Sequence, residues 1–232
     1  MKSNSTPGLM VAVSWSGGKD SSFSLYRAML GGLQACFLLN FINRDVRKSM
    51  SHGLDPKLLS AQAKAIGIPI IQREVTWDTY EQEFKRAVEE LKQEGVGGVV
   101  SGDIDLQEHK DWIDRVCGEL GVMPILPLWG AEPEEILSSF IDAGFEAMVV
   151  TAKAEFFGQE WLGKRVSREF IRELNRLSEE FNIHICGEKG EYHTFVTDGP
   201  LFKRRIKIID SKGELREGYW LLDILRYEIV GK

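Results

Sequence analysis

Leu9-Met10-Val11-Ala12-Val13 runs straight into Ser14-Trp15-Ser16-Gly17-Gly18-Lys19-Asp20-Ser21-Ser22, and helix-like spacing through Phe23, Tyr26 and Leu30 follows before Gly31-Gly32. A short apolar run, a Ser/Gly turn and a helix in that order read as a strand–loop–helix unit. Such a turn aims free backbone N–H groups and the positive end of a helix dipole at one point. Gly17 and Gly18 reach conformations closed to other residues and let an anion approach the main chain. Ser16, Ser21 and Ser22 add hydroxyl donors, and Lys19 adds a positive charge. Two glycines alone would make only a turn with a serine cap. With Lys19 and Asp20 inside the turn, the unit reads as a phosphate-binding loop. It is not a Walker A loop, which needs Gly where this chain has Val13 and Ser or Thr where it has Asp20.

Outward from that loop, strand and helix signals alternate. Ala35 to Ile42, Ile68 to Val75, Val96 to Ser101, a shorter run from Ile125 to Leu128 and Ala147 to Thr151 read as strands. Helical spacing lies between them: Leu58 to Ile66 behind Pro56, Tyr80 to Leu91, Trp112 to Leu120 and Ile136 to Ile141. Regular alternation predicts an open parallel α/β sheet with helices on both faces. After Thr151 the rhythm changes. Val166, Phe170, Leu174, Leu177 and Phe181 mark one amphipathic helix, and 206–209, 219–222 and 224–230 read as β. We therefore expect a nucleotide-binding unit over 1–155 and a small substrate-binding α+β unit over 156–232.

Ligands of open α/β sheets sit beyond the carboxyl ends of the strands. Val13, Ser14, Leu39, Asn40, Ser101 and Gly102 are placed there by the reading above, with backbone at 39–41 available to adenine. The Ser49-Met50-Ser51-His52 loop is placed to cover the base through Met50 and His52, although a lone His in such a loop is more often plain surface than ligand. Asp103 suits Mg²⁺ as an oxygen ligand, and suits a helix N-cap nearly as well.

The 232 residues, 43% hydrophobic and 28% charged, suit a globular protein of one or two domains. No apolar run approaches the roughly 20 residues that span a bilayer, and the polar start through Pro7 lacks a secretory signal, so a cytoplasmic protein with no membrane partner is expected. Asn4-Ser5-Thr6 matches a glycosylation acceptor that carries no meaning without such a signal. Cys36, Cys117 and Cys186 form no Cys-x-x-Cys pair and read as buried thiols in a reducing compartment. The net charge of −6 argues against direct nucleic-acid binding. Arg165, Arg168, Arg172 and Arg176 share a helix face, but the interleaved Glu169, Glu173 and Glu180 make it an ion-paired one.

A second stretch, Gly187-Glu188-Lys189-Gly190-Glu191-Tyr192-His193-Thr194-Phe195, continues to Asp198-Gly199-Pro200-Leu201-Phe202. On its own it reads as a hairpin with a polar face. Ser16 to Ser21 matches Ser-Gly-Gly-x-Asp-Ser, and so resembles the PP-loop of the N-type ATP pyrophosphatases, with their HUP, adenine nucleotide alpha hydrolase-like fold. Taken with it, Gly187 to Tyr192, Asp198 to Phe202, Pro127-Leu128-Trp129 and Trp161-Leu162-Gly163-Lys164 resemble the archaeal-type diphthine–ammonia ligase family. The resemblance implies ATP and Mg²⁺ as cofactors, cleavage to AMP and pyrophosphate, ammonium as co-substrate and diphthine-bearing elongation factor 2 as protein substrate. It implies catalytic roles for Lys19, Asp20, Glu188 and Glu191. Substrate contacts are implied at Lys164, Glu188, Tyr192, His193, Thr194 and Asp198. Two alternatives stay open: a PP-loop tRNA-modifying adenylating enzyme, and an ATP- or AMP-binding protein without turnover. A homo-oligomer is compatible with either.

Overall fold

The computed structural model describes residues 8–50 and 52–232; the Asn4-Ser5-Thr6 match and Ser51 lie outside the described residues. Ten strands, β1 (Met10–Ser14), β2 (Gln34–Asn43), β3 (Lys48–Ser49), β4 (Ile70–Val75), β5 (Gly98–Val100), β6 (Met123–Ile125), β7 (Glu146–Lys153), β8 (Tyr192–Asp198), β9 (Arg205–Arg216) and β10 (Tyr219–Val230), make two sheets. Among the described residues six α-helices connect them: α1 (Lys19–Leu30), α2 (Pro56–Ile66), α3 (Tyr80–Gln93), α4 (Gln107–Leu120), α5 (Pro133–Asp142) and α6 (Arg168–Phe181).

The first sheet is parallel in the order β4-β2-β1-β5-β6, with β3 added antiparallel to the end of β2. From β1 the chain proceeds to β2 and β4 on one side, then crosses back to β5 and β6 on the other. The order therefore reverses between β1 and β5, where open sheets take their ligands. Ser14 pairs with Leu39 and Val13 with Val100, so β1 and β5 end within a residue of each other beside the middle of β2, which runs on to Asn43.

Helices cover both faces. On one, α1 and α2 bury Leu25, Ala28, Leu58, Leu59 and Ile66 against Val11, Val13 and Leu38. On the other, α3 and α4 bury Phe84, Val88, Ile113 and Val116 against Leu39, Phe41 and Val99. Each such side chain contributes roughly 1.5–3 kcal/mol of transfer free energy.

The second sheet is antiparallel, β8-β7-β10-β9. Here the structure corrects one expectation. The strand over 147–151 belongs to this sheet, as β7, and not to the parallel one. A continuous apolar run predicts burial on both faces but carries no information about its partner. The second unit's sheet consequently begins at Glu146, before the expected boundary at 155. The core is continuous across both units: Phe23 of α1 packs edge-on to Phe140 and Phe145, with centroids at 6.0 and 6.2 Å, and the same cluster takes in Val149, Phe170 and Tyr192.

Helix α1 also differs from its reading. Leu30 is 70% exposed, whereas Ser21, Ser22, Ser24 and Leu25 are buried. The helix lies between the parallel sheet and β8, so its serines, and not an apolar stripe alone, fit the confined space. Helix α6 buries Phe170, Ile171 and Leu174 and starts at Ser167, whose hydroxyl accepts from the Phe170 N–H at 3.2 Å. Ser167→Ala is expected to lower stability by about 1 kcal/mol in urea denaturation. Arg168 pairs with Asp142 and Arg172 with Glu169, in line with an ion-paired face. Cys117 and Cys186 are buried free thiols, and Cys36 is half-buried.

Candidate functional site

The phosphate loop leaves β1 at Ser14 and enters α1 at Lys19. Gly17 takes φ +81°, in the left-handed region. A Cβ on Gly17 would lie 2.4 Å from Leu59 Cδ2, and one on Gly18 would lie 2.3 Å from His52 Cε1. Both glycines are thus required by packing behind the loop as well as by its turn. Ser16 Oγ accepts from the Gly18 N–H at 3.3 Å and lies 3.2 Å from Ser21 Oγ. No hydrogen bond engages the backbone N–H groups of Ser16, Gly17, Asp20 or Ser21 among the described residues. These are the donors an anion requires.

The loop is held from behind by the second unit. Val196 donates its N–H to the Gly17 carbonyl at 3.0 Å, and the Lys19 N–H donates to Thr194 Oγ1 at 3.0 Å. Gln62 of α2 completes the brace: Nε2 donates to the carbonyls of Gly17 and Val196 at 2.9 and 2.7 Å, while Oε1 accepts from Trp15 Nε1 at 3.0 Å.

Lys19 belongs to the same brace. Its ammonium donates to the Cys186 carbonyl, pairs with Asp20 Oδ2 at 2.8 Å and lies 5.1 Å from the Tyr192 ring centroid. Burial works against its charge, but Asp20 and further acceptors nearby hold its pKa above the ordinary lysine value. Lys19 is not among the residues that line the cleft.

That cleft opens beyond the strand ends, with a cavity volume of about 200 Å³. Ser14, Ser16, Asp20, Ser21, Leu39, Asn40, Met50, His52, Ser101, Gly102, Asp103, Glu188 and His193 from the sequence reading line it. Gly102 packs on the first turn of α1, where a Cβ would stand 3.1 Å from the Ser21 nitrogen. Asn40 is internally committed: Nδ2 donates to the Trp15 carbonyl at 2.9 Å and Oδ1 accepts from Gln72 at 3.2 Å. The carbonyls of Leu39 and Phe41 accept from Trp15 and Met50, so they are not free for a base.

Other expected residues lie elsewhere. Val13 is fully buried in β1, and Ser22 is buried with no partner for its hydroxyl among the described residues. Glu191 accepts from the His184 and Lys189 N–H groups at 2.6 and 3.0 Å, which fixes the 184–189 turn and takes its carboxylate out of the cleft. Tyr192 Oη donates to the Ile185 carbonyl at 2.7 Å, behind the loop. Thr194 faces the loop's rear. Lys164 pairs with Glu173 over the Trp161 ring, and Asp198 pairs with Lys232 at 2.7 Å at the far end of β8. Neither reaches the cleft.

Two imidazoles stack across the loop, His52 and His193, with centroids at 4.5 Å. Burial lowers both pKa values, that of His193 to about 4, so both are neutral at pH 7. His52 Nδ1 is 3.0 Å from the Thr194 carbonyl and must donate to it, leaving Nε2 as an acceptor.

Opposite the loop, Asp103, His109 and Glu188 place one ligand atom each within 4.8 Å of one another. Asp103 Oδ1 is 3.0 Å from His109 Nδ1, its Oδ2 accepts from Ser101 Oγ, and Glu188 Oε1 accepts from the Ile104 N–H at 2.9 Å. Burial pushes the Glu188 carboxyl up to about 7. For Asp103 burial also opposes ionisation, but the bonds from His109 and Ser101 prevail and lower its pKa. Asp103 and Glu188 have the oxygen donors Mg²⁺ takes. Phe41, read as offering its backbone, lines the cleft with Trp15 and Gly187 of the two quoted motifs; His109 and Tyr80 also line it and escaped the sequence reading. Tyr80 read as helix core, and a lone His six residues past Asp103 carries no spacing signal.

Fold and site define an α/β protein with a cleft at its sheet's switch point, beside a loop whose unengaged N–H groups suit an anion and which a second unit braces from behind. Residues 9–124 match the diphthamide synthase N-terminal domain and residues 132–230 the diphthamide synthase C-terminal domain. The protein named diphthine–ammonia ligase from Danio rerio is 30% identical over 219 residues, covering 84% of each chain. The Homo sapiens protein of that name is 29% identical over 225 residues, 88% of this chain and 84% of that one. The Schizosaccharomyces pombe protein is 26% identical over 85% of this chain but only 36% of its own length. A solved structure titled as a predicted subunit of tRNA methyltransferase, from Methanocaldococcus jannaschii, aligns with a TM-score of 0.45 at 17% identity, covering 83% of this chain and 98% of that one. The chain belongs to the diphthine–ammonia ligase (diphthamide synthase) family.

Proposed function

We propose that this chain is an ATP-dependent carbon–nitrogen ligase that forms AMP and pyrophosphate, and that it amidates the diphthine carboxylate on elongation factor 2 with ammonium. One observation carries the reading: an anion-binding loop at the switch point, braced by the strand of the second family motif, in a chain matched by both family domains. The substrate carboxylate attacks the α-phosphorus of ATP, its new P–O bond replacing the bond to pyrophosphate. Ammonia then attacks the acyl carbon, AMP leaves with its phosphate oxygen, and the surplus proton passes to a base.

In this chain the free N–H groups of Ser16, Gly17, Asp20 and Ser21 and the hydroxyls of Ser16 and Ser21 would hold the departing phosphates. Asp103 and Glu188 would hold Mg²⁺, which neutralises charge on pyrophosphate. The acceptor nitrogen of His52 is the cleft group placed to receive a proton or orient ammonium. Lys19, Thr194 and Glu191 act behind the loop, as its positioning residues. The residues of 9–124 form the nucleotide unit and those from Glu146 onward face the protein substrate. No helix among the described residues is long and apolar enough to cross a membrane, and we place the activity in the cytoplasm, where ATP and the factor meet.

The test is AMP release from labelled ATP with ammonium. AMP formed only when diphthine-bearing factor is present is the expected result. Release driven by tRNA or by a small carboxylic acid would reassign the acceptor, and ATP binding with no AMP under any condition would leave a nucleotide-binding protein.

A further inference from the structure

The cleft has a charge balance that does not suit its ligand. Asp20, Asp103 and Glu188 all line it. The nearest cation, Lys19, is committed behind the loop to Asp20 Oδ2 and the Cys186 carbonyl. Asp20 Oδ1 is buried without a hydrogen-bond partner, and no Lys or Arg pairs with Asp103 or Glu188 among the described residues. A polyphosphate entering here would meet Asp20, Asp103 and the Glu188 carboxyl, and a positive charge held among them would offset that repulsion.

The groups that would hold it are already assembled. Asp103 Oδ1 and His109 Nδ1 are 3.0 Å apart, and Glu188 closes a triangle with both inside 4.8 Å. Adjacent ligands on an ion with bonds of about 2.1 Å stand about 3.0 Å apart. All three come from the protein, so no nucleotide oxygen is needed to complete the anchoring. An imidazole beside two carboxylates suits first-row transition ions, whereas Mg²⁺ takes oxygen almost alone.

We propose that Asp103, His109 and Glu188 form a divalent-cation site with a nitrogen ligand, filled before ATP arrives and favouring a transition ion such as Mn²⁺ over Mg²⁺. The ion also ties the end of β5 and the start of α4 to the 187–190 turn, and so fastens the second unit over the cleft. The proposal goes beyond the ligase reading and holds whatever the acceptor is.

The test uses the full chain without nucleotide. Titration with MnCl₂, followed by the loss of the free Mn²⁺ electron paramagnetic resonance signal, is expected to give one tight site per chain. Mg²⁺ should displace the ion only in at least tenfold excess. The electron spin-echo spectrum should show coupling to a directly bound nitrogen, and His109→Ala should abolish that coupling and weaken Mn²⁺ roughly tenfold or more while Mg²⁺ affinity holds. His109 is 57% exposed, so this variant should fold, which circular dichroism checks. Mn²⁺ binding that appears only with ATP, a parent spectrum lacking nitrogen coupling, or equal Mn²⁺ affinity in His109→Ala would each overturn the site. None of these outcomes bears on whether AMP is formed.

Discussion

Lys19→Ala is expected to destabilise the fold by about 3 kcal/mol and to slow AMP formation about a hundredfold or more. The ammonium is almost wholly buried, bonded to Asp20 and to the Cys186 carbonyl. Its removal leaves the Asp20 carboxylate, already short of one partner, with none for either oxygen. Breaking a buried pair costs about 3–5 kcal/mol, and the lower end applies because the Asp20 side chain is 25% exposed. The rate falls by a different route: the loop loses its tie to the 184–189 turn, and small displacements of a positioned group are costly to catalysis. Urea denaturation and the rate of AMP release measure the two effects. Intact stability with lost turnover would mean that the ammonium acts on the nucleotide itself.

Gly17→Ala should be comparably severe for stability. Its φ of +81° costs an L-residue about 1–2 kcal/mol. The added Cβ would also stand 2.4 Å from Leu59 Cδ2 and 2.8 Å from Gln62 Oε1, and forced overpacking costs about 1–3 kcal/mol. Gln62 cannot yield freely, because it holds Trp15, Gly17 and Val196 together. We expect a loss of about 3 kcal/mol, a melting temperature lower by roughly 10 °C, and calorimetric ATP binding weakened in step. A melting curve that coincides with the parent's would contradict this packing.

Much of the parallel sheet was legible because apolar runs alternating with helical spacing admit few arrangements. The membership of β7 was not, since its local pattern equally fits either sheet. The phosphate loop was legible through its residue types, and Ser14, Ser16, Asp20, Ser21, Asp103, Glu188 and His193 do converge on one cleft. The direction each side chain takes was less so. Lys19 reads as a phosphate ligand, yet its nearest acceptor, the Cys186 carbonyl, lies behind the loop and 167 residues away. Glu191 reads as a catalytic acid, yet two adjacent N–H groups claim it. His109 became visible only when the fold brought it beside Asp103 and Glu188. That proximity depends on a long-range approach no local period encodes.

The bonds from Thr194 and Val196 to the phosphate loop link positions 175 and 179 residues apart. Closing so wide a span is entropically slow, and contacts of this kind form late on the folding route. The loop is made before the residues that brace it, so its final shape waits until residues 194 and 196 have docked behind it. A cleft that depends on this loop is therefore completed only when the two halves of the chain have met.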